Sequence, residues 1–167
     1  LWLFIGILGR ILPHPYNATP LLSQTVLSQR YFKRLPACLL TLLALIISDG
    51  LLCWMKGYPM LGSWSLFTYS GFVAMSLCMS ICSPIKSLNR CLGYTLVATL
   101  GFWLWTNFGT WLCAGLYPHT TRGLGLCFMM GLPFLQHALI GNLLCSSVFF
   151  KTLDFIPKTT TTSLLVK

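Results

Sequence analysis

The fold of this chain is decided by residues 35–55, which read LPACLLTLLALIISDGLLCWM. The stretch is almost wholly apolar, and Asp49 is the one charged residue within it. A helix needs about 20 such residues to cross the hydrocarbon core of a bilayer. Two further runs, residues 57–85 and 91–121, are longer still and contain no Lys, Arg, Asp or Glu. Three runs of this kind in a chain of 167 residues predict an integral membrane protein.

The overall composition excludes two other classes of protein. Hydrophobic residues make up 56% of the chain, charged residues 8%, and the mean hydropathy is +0.77. A soluble domain carries about 25% charged residues, so this chain could not cover a water-facing surface. The net charge of +9 could indicate nucleic-acid binding. However, the basic residues stand at the ends of apolar runs and form no basic stripe with interleaved aromatics, so we predict no nucleic-acid partner.

Read segment by segment, the pattern predicts an all-α membrane bundle of about six transmembrane helices. The predicted helices are residues 1–12, 19–32, 36–55, 64–82, 91–113 and 122–150. The second is short and polar for a span, and Pro133 is expected to kink or divide the sixth because proline removes a backbone donor. Residues 1–150 are predicted to form a single transmembrane domain, followed by a polar cytoplasmic tail at residues 151–167.

The distribution of basic residues predicts the orientation of this bundle. One set of alternating loops and the C-terminal tail carry Arg30, Lys33, Arg34, Lys86, Arg90, Lys151, Lys158 and Lys167. The other set carries Lys56 and Arg122, with Arg10 near its edge. Cytoplasmic loops are enriched in Lys and Arg. We therefore expect a multi-pass protein of the cell (inner) membrane with both termini in the cytoplasm. This agrees with an even number of spans, which requires both termini to lie on the same side.

Most of the unusual polar and aromatic residues then map to the opposite, non-cytoplasmic end. A solute-binding site is predicted there from seven of them: Arg10, His14, Asn17, Asp49, Asn107, Trp111 and Tyr117. Polar groups at membrane depth are costly and commonly mark a polar interior or a solute path. Arg10 would bind an anionic group, Asp49 a cationic or hydroxyl group, and aromatic rings would stack on the solute.

Two of these residues have a second interpretation that the sequence leaves open. Asp49 could pair with Arg10 and simply join two helices. Asn107 could form a hydrogen bond between helices, which is the commoner use of a membrane asparagine. Asn142 is a comparable polar group in the sixth helix. No metal site and no cofactor are predicted, because the eight cysteines form no CxxC pair and lie mostly within apolar runs.

At these residues the sequence resembles a bacterial family of small, uncharacterised six-span membrane proteins. The resemblance is carried by Arg10 with the Pro13-His14-Pro15 and Asn17-Ala18-Thr19-Pro20 segments, by the run ending in Ser48-Asp49, by Thr106-Asn107-Phe108-Gly109-Thr110-Trp111, by Tyr117-Pro118 with Gly123-Leu124, and by Pro133-Phe134 with Gly141. Together these segments span about residues 5–150.

That family is in turn similar to the substrate-binding S components of energy-coupling-factor transporters. S components are six-helix proteins that capture a vitamin-like molecule or a metal ion from outside the cell. They pass it to a scaffold subunit driven by two ATPases. The resemblance implies a membrane protein that binds a small-molecule solute, with a transporter scaffold and ATPase subunits as partners.

Two other classes of function compete with this one. A membrane scaffold or assembly protein without a solute would use Asp49 and Asn107 only to join helices. An intramembrane enzyme would need reactive groups at defined spacing, and the chain has no GxSxG motif, no HExxH motif and no pair of close carboxylates. We therefore predict that the chain is not an enzyme.

Overall fold

The computed structural model describes residues 2–11, 20–32, 34–57, 59, 61–82 and 85–154, and over these ranges the regular structure is entirely helical. Its six helices are α1 (Trp2–Ile11), α2 (Leu21–Tyr31), α3 (Arg34–Lys56), α4 (Ser65–Ile81), α5 (Leu88–Cys113) and α6 (Thr121–Asp154). The predicted all-helical fold with six helices is confirmed, and most helix ends fall within about three residues of the prediction.

Two of the described helices are long and apolar enough to cross a membrane. They are Leu35–Lys56, within α3, and Thr121–Leu153, within α6. The apolar helix Ser65–Ile81 is shorter. The sequence therefore contains membrane-compatible helices as predicted, whereas the count of six spans stays a prediction.

The sixth helix is longer and more continuous than the sequence predicts. It runs without division through Pro133 and ends at Asp154. Proline fixes a φ angle that a helix accommodates, and the lost hydrogen bond is tolerated in membrane helices when neighbouring groups compensate. Residues 151–154, which the sequence analysis assigns to the tail, are therefore helical.

The short second helix lies at the centre of the bundle. It packs against each of the other five helices, and residues 21–28 are all buried. Its polar side chains bond to their own backbone: the Thr25 hydroxyl donates to the Leu21 carbonyl at 2.7 Å, and the Ser28 hydroxyl to the Thr25 carbonyl at 2.7 Å. The most polar helix is thus the one with the least exposed surface.

The outward faces of the other helices are, by contrast, apolar. Exposed large hydrophobic side chains on α3 to α6 include Leu39, Leu43, Ile46, Leu66, Leu77, Val97, Leu104, Leu126 and Leu144. Buried polar side chains include Ser23, Thr25, Thr41, Ser48, Ser76, Thr95, Asn142 and Ser146. Soluble proteins show the opposite arrangement, because their polar residues are mostly exposed and large exposed apolar patches mark sites of contact.

Candidate functional site

A cavity of about 530 Å³ lies at one end of the bundle. Its wall includes the last turn of α1, the first turn of α2, the start of α4, the second half of α5 and the first half of α6. This is the end that the sequence analysis predicts to be non-cytoplasmic. The polar side chains in the wall include Arg10, Thr68, Thr99, Thr106, Asn107, Thr110, Tyr117 and Asn142. Aromatic rings complete it, among them Phe72, Phe102, Trp103 and Phe134.

Three of the predicted site residues, Arg10, Asn107 and Tyr117, line this one cavity. They come from the end of α1, from the second half of α5 and from the turn after α5. The chain therefore brings together residues that are about a hundred positions apart in sequence. His14 and Asn17 lie outside the described residues.

Asp49 lies beside the cavity and binds Arg10 directly. The Arg10 Nη1 atom is 2.6 Å from Asp49 Oδ1 and donates to Ser48 Oγ at 2.9 Å. The Tyr69 hydroxyl donates to the other Asp49 oxygen at 2.6 Å. The Asp49 side chain is only 6% exposed and does not line the cavity. Of the two interpretations that the sequence leaves open, this geometry favours a helix pair in which Asp49 positions Arg10.

Local structure explains how Ser48 accepts from Arg10. The Ser48 hydroxyl donates its hydrogen to the Leu45 carbonyl, one turn earlier in α3, at 2.9 Å. Its oxygen lone pairs are then available to the guanidinium. Tyr69, by contrast, is a contact that the sequence analysis missed. The sequence indicates such a contact only indirectly. A carboxylate has two acceptor oxygens, so a buried Asp49 needs a second hydrogen-bond donor besides Arg10.

Asn107 lies where α5 crosses α6. Its Nδ2 donates to the Trp103 carbonyl at 2.8 Å, and the Trp103 indole donates across to the Gly131 carbonyl at 3.0 Å. A Cβ atom on Gly131 would collide with Asn107 Oδ1. Asn107 therefore serves the close packing of two helices and also forms part of the cavity wall. Among the described residues its side-chain amide bonds to its own helix, and the hydrogen bond across to α6 comes from Trp103 instead. A role of Asn107 in solute binding stays a prediction.

Trp111 supports the wall from outside. Its indole donates to the Pro118 carbonyl at 3.0 Å, and its ring centroid lies 5.7 Å from that of Phe108 and 5.4 Å from that of His119. Gly115, at φ 66°, lies two residues after the end of α5 and lets the chain turn. Trp111 is absent from the cavity wall. Its bond to Pro118 stabilises the turn that contains Tyr117. The predicted stacking of Trp111 on a solute stays a prediction.

Asn142 forms the floor of the cavity and joins α6 to α2. The side chain is 1% exposed. Its Oδ1 accepts from the Ser23 backbone amide at 3.2 Å, and its Nδ2 donates to the Ala138 carbonyl at 2.9 Å. Amides in the first turn of a helix lack partners within that helix. Asn142 therefore supplies from another helix the acceptor that the beginning of α2 needs.

The described part of the chain contains no cluster of three or more His, Cys, Asp and Glu side chains that could hold a metal ion. All eight cysteines are free. The chemistry available at the cavity is thus hydrogen bonding, aromatic stacking and the charge of Arg10.

Residues 1–164 match a family of unknown function, DUF6580. The chain belongs to this family. The match includes the cavity and every described helix, and it confirms the coarser part of the resemblance, namely membership of an uncharacterised family. No curated protein and no solved structure matches the chain. Because the family carries no assigned function, a functional conclusion has to come from the geometry.

Proposed function

We propose that this chain is a multi-pass membrane protein that binds a small solute, in the manner of an S component, from the non-cytoplasmic side. The observation that carries the proposal is the cavity of about 530 Å³, in which Arg10, Asn107 and Tyr117 meet aromatic rings. Small-molecule sites are typically clefts of about 300–1,000 Å³ with mostly apolar walls and a few convergent polar groups.

Embedding in a bilayer accounts for the reversal of polarity between the interior and the exterior. Polar helix α2 is central, and the exposed faces of α3 to α6 are apolar. Helix α5 has 26 residues, which at about 1.5 Å per residue is roughly 39 Å and exceeds the thickness of a hydrocarbon core. Its face with exposed Leu96, Val97, Leu100 and Leu104 suits contact with lipid. These features support six spans more strongly than hydropathy alone does.

The orientation follows from charge. Lys86, Arg90 and Lys151 are exposed at the end of the bundle opposite the cavity. Lys56 and Arg122 stand at the cavity end. The excess of basic residues away from the cavity favours a cytoplasmic location for that end. The cavity would then open to the outside of the cell, where a capture protein needs it.

A planar group fits the aromatic part of the wall. The Phe72 and Phe102 ring centroids are 4.6 Å apart with the planes inclined at 52°, so these two rings already form a packed edge against which a solute ring could lie. Arg10 also lines the cavity, and among the described residues its contacts with Asp49 and Ser48 both involve Nη1, so the N–H groups on Nε and Nη2 could bind a solute acceptor.

Transport would require further subunits, and the resemblance implies a scaffold with two ATPases. The small residues of α1 that could contact a scaffold are Gly6 and Gly9. A Cβ on Gly6 would collide with the Gln24 side chain, and one on Gly9 with Pro20. These glycines therefore allow α1 to approach α2, so a scaffold would have to bind another face. Copurification of ATPase subunits with the chain from native membranes tests the association with a transporter separately from solute binding.

The test of solute binding uses one cavity residue and one matched control. Ala138 lines the cavity, whereas Ala74 is exposed on α4. Native mass spectrometry of protein purified from its own membranes should detect a small-molecule mass on the wild-type chain and on Ala74→Trp. Ala138→Trp fills the cavity and should lose that mass. Retention of the mass by Ala138→Trp, or no added mass on the wild-type chain, contradicts the proposal.

A membrane scaffold without a solute is the second candidate. The observation that favours it is that Arg10, Asp49, Asn107 and Asn142 all have partners within the protein. This function predicts a wild-type chain with no added mass and a change in stability as the sole effect of Asp49→Ala.

A further inference from the structure

Helix α5 presents a row of threonines on one face. Thr95, Thr99, Thr106 and Thr110 are spaced by four, seven and four residues, which places them on one side of an α-helix. The last three line the cavity. A polar row of this kind within an otherwise apolar helix belongs to the cavity wall rather than to the lipid-facing surface.

Each of these three hydroxyls has already used its one hydrogen. Thr99 donates to the Thr95 carbonyl at 2.8 Å, Thr106 to the Phe102 carbonyl at 2.9 Å, and Thr110 to the Thr106 carbonyl at 3.0 Å. A hydroxyl has one donor hydrogen and two acceptor lone pairs. As long as they keep these bonds, these three side chains offer acceptors, and no donor hydrogen, toward the cavity.

Thr95, one turn below the cavity, shows how such a hydroxyl accepts a hydrogen bond in addition to the one it donates. It donates to the Cys91 carbonyl at 2.9 Å, and its oxygen lies 2.7 Å from the Ser146 hydroxyl. Because the Thr95 hydrogen is already engaged, Ser146 on α6 has to be the donor. The fold thus supplies an O–H donor to the first member of the row, and a solute can supply donors to the other three.

The charge of the cavity is balanced within the protein. Among the described residues that line it, Arg10 is the one with a formal charge, and the Asp49 carboxylate lies 2.6 Å from it. An anionic solute would add an uncompensated negative charge beside this neutral pair in a low-dielectric site, which is costly. A cationic solute would face Arg10 with no carboxylate in the described wall.

We infer that the solute is an uncharged, planar molecule that presents N–H or O–H donors to α5 and a hydrogen-bond acceptor to Arg10. Heteroaromatic amides and amines are the class with this arrangement of groups. This inference rests on the proposed function and specifies the substrate class of the same cavity. Asn107 and Asn142 each donate one amide hydrogen to their own helix, and each Nδ2 carries a second hydrogen that could bind an acceptor on the solute.

The experiment removes single acceptors without changing shape. Thr106→Val and Thr110→Val should each lower the ratio of loaded to empty protein after a fixed dilution by roughly five- to tenfold in native mass spectrometry. Thr106→Ser keeps the hydroxyl and should restore loading. Thr152→Val is the matched control, because the Thr152 hydroxyl makes the same bond to its own helix, at 2.7 Å, on the exposed surface. The accurate mass of the released molecule should give a neutral formula with N–H or O–H groups.

The outcomes separate this inference from the proposed function. If Ala138→Trp is empty but Thr106→Val and Thr110→Val are as loaded as the wild-type chain, the acceptor row is overturned and solute binding stands. A released molecule that is a carboxylic acid, a phosphate or a permanent cation also overturns the inference. An empty wild-type chain contradicts solute binding itself.

Discussion

At the residue scale, the ion pair of Arg10 and Asp49 joins the packing of the helices to the wall of the cavity. It joins α1 to α3, and Tyr69 extends the contact to α4. The same pair fixes the position of Arg10 at the cavity wall. In the proposed function, Asp49 would therefore act on a solute through Arg10, as a positioning residue.

Removal of Asp49 should be destabilising. Asp49→Ala leaves the partly buried Arg10 charge and the Tyr69 hydroxyl without their shared acceptor, and the loss of an acceptor for such donors costs about 1–3 kcal/mol of unfolding free energy. Arg10→Met combined with Asp49→Ala should recover much of this loss, because no unpaired charge remains. Thermal unfolding in one detergent measures the stability of the single and the double variant. Lys56→Met, at an exposed position of α3, is the control. If Asp49→Ala is as stable as the wild-type chain, the ion pair does not contribute to stability.

Sequence reasoning could find Arg10 and Asp49 because charges stand out in an apolar chain. It could not decide between pairing and solute binding, since that depends on a distance across two helices. Tyr69 was missed because a tyrosine within an apolar run resembles an interfacial aromatic. The threonine row was readable in principle from its spacing, but the direction of each hydroxyl bond follows only from the coordinates.

At the element scale, close approach of helices depends on particular glycines. A Cβ on Gly109 of α5 would collide with the Phe67 ring of α4. That ring is held in place, since it is 7% exposed and its centroid lies 5.3 Å from that of Trp105. The α4–α5 contact therefore tolerates no side chain at residue 109.

Gly109→Ala should accordingly reduce stability by about 1–3 kcal/mol, the usual cost of overpacking. Gly93→Ala on the same helix is the matched control, because nothing lies within 4 Å of its added Cβ. That control should be neutral or stabilising by up to about 1 kcal/mol, as alanine favours helix over glycine. Melting temperatures of the two variants check the prediction, and equal melting temperatures would contradict the packing of α4 on α5.

The helices themselves were predictable from hydropathy and prolines, as the bounds of α3 and α5 show. The central place of α2 was less predictable. Its sequence, LLSQTVLSQRY, has too little hydrophobicity to indicate a span. In a bundle surrounded by lipid the most polar helix is the one that gains most from burial among other helices, so low hydropathy here marks the centre.

At the scale of the whole molecule, the excess of basic residues at the end away from the cavity predicts an orientation that labelling can test. Cys113 is exposed at the end of α5 near the cavity, and Cys82 is exposed at the end of α4 away from it. In variants that retain one of these two cysteines alone, a membrane-impermeant maleimide should label Cys113 in intact cells. Cys82 should react only after the membrane is opened. The reverse pattern would place the cavity on the cytoplasmic side.

The proposed function requires that the cavity of this helical bundle holds a small solute. An electron-density map of protein crystallised from lipid after purification from its own membrane tests that claim most directly. Solute binding predicts planar, non-protein density between Phe102 and Arg10, within hydrogen-bonding distance of Thr106. A cavity that is collapsed, or that holds only a lipid acyl chain, would contradict it.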